Sequence, residues 1–188
     1  MVKEPRPGRV KTRLGRDMGM VPAAWWFRHQ SARLIRRLGT DPRWETVLAV
    51  SPDFAGLNSR VWTDNVARVP QGTGNLGARM ARLLRDNRAG PTLVIGADIP
   101  HIKPPHIQNA LYALGSHHVV FGASLDGGYW LVGVKSGFAL PPGMFGGVRW
   151  STEFALEDTV ATLPGCRIAM INQLQDVDIA ADLKSVFD

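Results

Sequence analysis

Residues 5–14, PRPGRVKTRL, place three cations at alternate positions, Arg9, Lys11 and Arg13, directly after a Pro7-Gly8 pair that permits a sharp turn. In an extended loop this alternation aims the three side chains to one side. Charge-assisted hydrogen bonds from such cations, with backbone N–H groups around Gly8, suit a polyphosphate. The same stretch also fits a solvated basic tail. The second chemical candidate is Asp98, which follows the apolar run TLVIGA. A carboxylate at the carboxyl end of a strand is where Mg²⁺ or Mn²⁺ is held against substrate phosphates. The alternative is an N-cap on the turn led by Ile99-Pro100. Asp176 and Asp178, in LQDVDIAAD, either complete a metal site with Asp98 or cap the last helix. In QGTGNLGARM (71–80) the glycines bring backbone amides close to a ligand or simply form a loop before a helix. Gly74 and Gly77 have part of a dinucleotide spacing, but no strong strand immediately precedes them. Asp126-Gly127-Gly128 lies between two apolar runs and reads as a hairpin turn.

The elements that must position these residues alternate between strand and helix. Val21–Leu38 reads as an amphipathic helix with Ala24, Phe27, Ser31, Leu34, Ile35 and Leu38 on one face, Arg28, Arg33, Arg36 and Arg37 off it, and Gly39 as its stop. TVLAV (46–50) and, more weakly, VARVP (66–70) read as strands. A helix follows from Leu76 to Asn87, then the strand 92–97, a helix from Pro105 to Leu114, and strands at 118–124 and 129–134. A helix from Thr152 to Leu163, capped by Ser151 or Thr152, precedes the strand 166–171 and a short closing helix. Apolar strands between amphipathic helices imply an α/β fold with a mainly parallel sheet covered on both faces. Ligands of such sheets bind beyond the carboxyl ends of the strands, which selects the basic loop, the 71–77 turn, Asp98 and Asp126.

The length of 188 residues suits one domain spanning 1–188, and 45% hydrophobic with 20% charged residues is ordinary for a globular chain. No apolar run approaches a membrane span, and the start has no signal-peptide core. The lone Cys166 excludes an internal disulfide or a cysteine-held metal cluster, reads as a small buried strand residue, and fits a cytoplasmic location. The net charge of +6 is local: eleven of the 22 Lys and Arg, against four of the 16 Asp and Glu, lie within residues 1–45. That asymmetry suits a phosphate-bearing small molecule at least as well as a nucleic acid.

KEPRPGRVKTRL, QGTGNLGARM, TLVIGADIP, DGGYWLVG, RWSTEFALEDT and DVDIAADL occur in the order of the motifs of the bacterial DUF2064 family, which the chain resembles over almost its whole length. That family is glycosyltransferase-like, belongs to the nucleotide-diphospho-sugar transferase superfamily of GT-A, Rossmann-like three-layer fold, and is related to cofactor guanylyltransferases. The resemblance implies a metal-dependent transferase using Mg²⁺ or Mn²⁺ and a nucleotide sugar, with a small-molecule acceptor. It places Pro7, Gly8, Lys11 and Arg13 on the nucleotide phosphates and Gln71 and Gly72 near base or ribose, with Gly77 in the same motif. It puts Asp98 at the metal, Asp178 at the metal or the acceptor side, and Asp126, Gly127 and Trp150 toward the acceptor.

The family's first apolar strand corresponds here to Met1-Val2 alone, which is expected to anchor the basic loop loosely. Asn75 stands where relatives carry Asp, and His101 where many carry an acid. A further expectation within the transferase class is a nucleoside triphosphate as donor to a phosphorylated acceptor; from another class comes a nucleotide-binding or scaffold protein whose chemistry has been impaired. A nucleic-acid binder using residues 28–37 is the outlying alternative. A homodimer is allowed by the sequence.

Overall fold

The computed structural model describes residues 1–85 and 89–186. By internal contacts the chain forms two compact units. The first comprises Met1–Pro70, Gly96–Pro104 and the segment from Asp176 onward; the second comprises Gln71–Ile95 and Pro105–Gln175.

The first unit is built on three parallel strands in the order β1 (Val2–Lys3), β2 (Val47–Ser51) and β3 (Ala67–Pro70). Two helices, α1 (Thr12–Met18) and α2 (Met20–Gly39), follow β1, and the short α3 (Asp53–Leu57) follows β2. The predicted face of α2 is the buried one: Ala24, Phe27, Ser31, Leu34, Ile35 and Leu38 all lie inside. Ala24, Phe27 and Ile35 join Val2, Val10, Leu48, Val50, Trp62, Val66 and Ala97 in one apolar cluster. A second cluster of Leu14, Ala23 and Val177 is covered by Trp26, Ala180 and Leu183. It packs α1 and α2 against the 3-10 helix Ala180–Val186, which stands where the closing helix was expected. The predicted end of that helix, at Phe187, lies outside the described residues.

The basic segment is not an extended loop. It turns at Pro7-Gly8 and then enters α1, which the spacing of cations did not suggest. Gly19, at φ 95°, separates α1 from α2.

The second unit carries a four-stranded sheet in the order β4 (Thr92–Ile95), β6 (Tyr129–Val134), β5 (Val119–Ser124), β7 (Ile168–Leu174). Its helices are α4 (Leu76–Arg85), α5 (Pro104–Ala113) and α6 (Ala155–Ala161). The expected end of α4, at Asn87, lies outside the described residues. Strand β6 runs antiparallel to both β4 and β5, because the Asp126 turn folds it back along β5. The other three pairings, β1–β2, β2–β3 and β5–β7, are parallel. The fold is therefore a mixed α/β one in which parallel pairing leads. Trp130, Leu131, Val132 and Phe121 are at most 2% exposed, which is why these strands read as unbroken apolar runs. Trp130 also donates its indole N–H to the Asn172 carbonyl at 3.0 Å. Cys166 is half-buried and sits before β7 rather than inside a strand.

Helix α6 starts three residues later than predicted. Thr152 donates to the Arg149 carbonyl at 2.8 Å and accepts from the Phe154 N–H, forming a turn in place of a helical cap. The cap position falls to Phe154, with no side-chain hydrogen bond. Arg149 ties this turn to α6: its backbone N–H and Nε reach one oxygen of Asp158 at 3.0 and 2.8 Å, and Nη2 reaches the other at 2.8 Å. Hydrogen bonds from the Arg149 side chain, then from its backbone, hold the Asp158 carboxyl down at about 2, against an ordinary value of 3.8. A carboxyl whose folded pKa is depressed stabilises the fold above its unfolded pKa and loses that effect as pH falls through the folded one. Urea denaturation followed from pH 5 to pH 2 should therefore show a component lost between about 4 and 2 that is missing in Asp158→Asn.

Candidate functional site

The segment after β1 is fixed step by step. The Arg9 N–H donates to the Arg6 carbonyl at 3.0 Å across Pro7 and Gly8. Proline first and a glycine at φ 74° second is the requirement of a type II turn. Val10 and Leu14 then bury in the two apolar clusters of this unit, bracketing Lys11. Lys11 takes the left-handed conformation, φ 44° and ψ 50°, at the start of α1. That conformation is uncommon for a residue with a Cβ and costs on the order of 1 kcal/mol or more.

The Lys11 side chain, 6% exposed, is turned inward. Its Nζ lies 2.6 Å from Asp98 Oδ2 and 2.7 Å from Asp178 Oδ1. Arg13 Nη1 takes the other oxygen of Asp178 at 2.9 Å, with a side chain 56% exposed. Carboxylate oxygens of Asp98, Asp176 and Asp178 lie within 4.8 Å of one another. Lys11, Arg13, Asp98 and Asp178, expected from the sequence, thus meet in the first unit, and Asp176 joins them. Burial opposes the Lys11 charge, but the carboxylates of Asp98 and then Asp178 outweigh it and raise its pKa. For Asp178 burial pushes upward, yet Lys11 first and Arg13 after it hold the carboxyl below its usual range.

Residues that the sequence did not mark hold this cluster in place. Arg37, counted among the side chains off the buried face of α2, donates through Nη1 to the carbonyls of Pro100 and Ile102 at 2.8 and 2.6 Å. Ser31 donates to the Ala97 carbonyl at 3.4 Å. Together they fix the loop that carries Asp98. The final 3-10 helix is capped by other acids: Asp182 accepts from the N–H groups of Asp178 and Ile179, each at 2.9 Å, and Asp17 accepts from Ala180 at 2.9 Å. Asp178 is thereby left to Lys11 and Arg13. The carbonyl partners of Arg37 have no pattern in the sequence, and only an Asp four residues after Asp178 could have signalled the cap.

The remaining expected site residues lie in the second unit. The buried Gln71 offers its carbonyl to Arg82 Nη1 at 2.5 Å, and Arg82 Nη2 reaches the Thr73 carbonyl at 3.2 Å. The Arg82 guanidinium lies directly against Gly72, so a Cβ there would collide with it. Asn75 Oδ1 accepts from the Ala78 N–H at 2.9 Å and caps α4, a task an amide performs as well as a carboxylate. Gly77 is buried in α4 at a close approach, where a Cβ would lie 2.6 Å from Phe145 and 2.8 Å from the half-buried ring of Trp150. Asp126 accepts from the Gly128 N–H at 2.9 Å and closes the hairpin. Gly127, at φ 81°, rests on the backbone of Glu153.

A solved structure shares this fold. The chain superposes with a TM-score of 0.84, at 26% identity, on a crystal structure from Desulfovibrio desulfuricans G20 described as a "putative nucleotide-diphospho-sugar transferase", covering 99% of this chain and 83% of that one. The chain belongs to the family described as "Uncharacterized protein conserved in bacteria (DUF2064)", whose model matches residues 34–152. No curated protein matches it. Among the described residues no helix is long and apolar enough to cross a membrane.

Removing the Arg37 clamp should free the Asp98 loop. Arg37→Ala is expected to lower stability by about 1.5–3 kcal/mol, the range for hydrogen bonds to a charged group. It should also speed amide exchange in residues 98–102, with Arg37→Lys intermediate in both. Urea denaturation and hydrogen exchange read by mass spectrometry measure the two effects.

Proposed function

We propose that this chain is a metal-dependent transferase that takes a nucleotide-sugar donor and passes the sugar to a small-molecule acceptor. One observation carries it: Lys11 and Arg13 converge with Asp98, Asp176 and Asp178 in a single cluster beyond β1. Two cations beside three carboxylates form the complement of a diphosphate with its divalent ion. The carboxylates suit that ion, because an all-oxygen donor set is what Mg²⁺ and Mn²⁺ prefer. A cation is already accommodated there, since the Lys11 ammonium bridges Asp98 and Asp178. Asp98 and Asp178, with Asp176 beside them, would hold the metal, which supplies neutralisation of the departing diphosphate.

The chain's own part is to place charge in advance. In the transfer, the acceptor hydroxyl oxygen bonds to the anomeric carbon and its proton passes to solvent, as the bond from that carbon to the β-phosphate oxygen breaks. The electron pair leaves with the nucleoside diphosphate. Lys11 and Arg13 meet the charge that develops, and their fixed attachment to α1 spares the cost of reorganising solvent around it. Asp182 and Arg37 keep Asp178 and Asp98 from drifting apart under that load. The exposed Arg6, Arg9 and Arg13 favour a second version, in which a nucleoside triphosphate is the donor. There a phosphorylated acceptor attacks the α-phosphorus and pyrophosphate leaves. The description of the Desulfovibrio protein favours the sugar version.

Calorimetric titration with UDP-, GDP- and dTDP-sugars beside GTP and CTP, with and without Mg²⁺, tests this. At least one nucleotide should bind in a Mg²⁺-dependent manner, and Asp98→Asn should weaken that binding by a factor of roughly 10–100 or more. Absence of binding to every nucleotide in the panel, with the metal present, would sink the proposal.

A further inference from the structure

We infer that the Lys11 ammonium and the divalent ion compete for the same two carboxylates, so that Lys11 makes the site select a metal–nucleotide complex over the free metal ion. This rests on the metal-dependent function proposed above.

The geometry leaves little room for both cations. Lys11 Nζ bridges Asp98 Oδ2 and Asp178 Oδ1 at 2.6 and 2.7 Å, and Arg13 already engages the second oxygen of Asp178. Both oxygens of Asp178 are therefore paired with cations. A divalent ion bound to Asp178 must take or share an oxygen that Lys11 or Arg13 holds, and one that joins Asp178 to Asp98 comes against the ammonium that bridges them. If the ammonium stayed, it would sit at contact distance from a doubly charged ion, and two cations in a partly desolvated pocket repel strongly. The side chain, however, is held at its far end by exchangeable ion pairs. Val10 and Leu14 fix the Lys11 backbone, while the four-carbon stem is flexible and its ammonium is a point charge able to change partners.

A nucleotide diphosphate supplies the partner that Lys11 would move to. An arriving metal–diphosphate complex brings new anionic oxygens along with the ion, so the ammonium exchanges carboxylates for phosphate without being stranded. A free metal ion offers no such exchange and must displace a buried cation outright. Metal and nucleotide then bind with positive coupling, and Lys11 carries it.

Titration of the full chain with Mn²⁺ alone, followed by the electron paramagnetic resonance of the free ion, reads this without any turnover. Lys11→Met should bind Mn²⁺ more tightly than the unmodified protein, by a factor of roughly 5–150, the usual span of a coupling between two ligands. Lys11→Arg, which keeps a cation, should stay near the unmodified value, and Asp98→Asn introduced into Lys11→Met should abolish the gain. A thermal melt checks that the variant is folded, with Lys11→Gln as its replacement if Lys11→Met is not. Equal or weaker Mn²⁺ binding by Lys11→Met, with binding still lost on Asp98→Asn, overturns the competition and leaves the metal site standing. No Mn²⁺ binding to any of these proteins at millimolar metal overturns both.

Discussion

A lysine ammonium that is almost fully buried must find anions, and most of the first unit's local geometry answers to that need. Desolvating a cation costs several kcal/mol unless good partners replace the water. Lys11 obtains two carboxylates, from residues 87 and 167 positions further along the chain. Breaking a buried pair by removing one partner typically costs about 3–5 kcal/mol. That is an upper limit here, because the side chains of Asp98 and Asp178 keep 30% and 32% of their exposure. The interaction is therefore a meeting point for three remote segments, and each must be held by something other than the ion pair itself.

Each segment has its own anchor, and the anchors are chemically distinct. The basic segment is held by apolar burial, through Val10 and Leu14. The Asp98 loop is held by α2, through one guanidinium on two carbonyls and one hydroxyl on a third. The Asp178 segment is held by acids accepting from backbone N–H groups, Asp182 and Asp17. This division gives most of the acids at one end of the unit a partner of their own. Asp182 and Asp17 are spent on backbone donors, and Asp98 and Asp178 face cations. It also accounts for part of the basic excess near the start of the chain. Arg37 is occupied with carbonyls, Arg13 with Asp178, and Arg43 with Asp41, so those charges are committed within the protein.

The strands and α2 were legible because burial writes itself as pattern: TVLAV, TLVIGA and YWLVGV are apolar runs, and the α2 face repeats at helical spacing. The Asp-Gly-Gly turn was equally plain. Helix α1 was not, because alternating Arg9, Lys11 and Arg13 invited an extended reading, whereas a left-handed Lys11 starts a helix instead. Lys11 and Arg13 still meet at one residue, Asp178, because they share one turn of chain. Asp176 and Asp178 stood as alternatives between metal and cap, and the caps of the last helix fall to Asp182 and Asp17. Arg37 and Arg82 were beyond reach: each binds carbonyls, which every residue has, so no side-chain pattern marks their partners.

The connection from β1 into the basic segment bears on how the site is made firm. Two residues, Val2 and Lys3, pair with β2, and the Glu4 N–H extends the ladder to the Ser51 carbonyl at 2.8 Å. The basic segment that follows is fixed by Val10 and Leu14 beneath and by the Lys11 ion pairs at the centre. Rigidity at this site is thus partly electrostatic, drawn from the same charges that would do the chemistry. A site built that way cannot be indifferent to what binds it. Any ligand that takes a carboxylate from Lys11 also loosens the basic segment, and any ligand that offers the ammonium an anion firms it again.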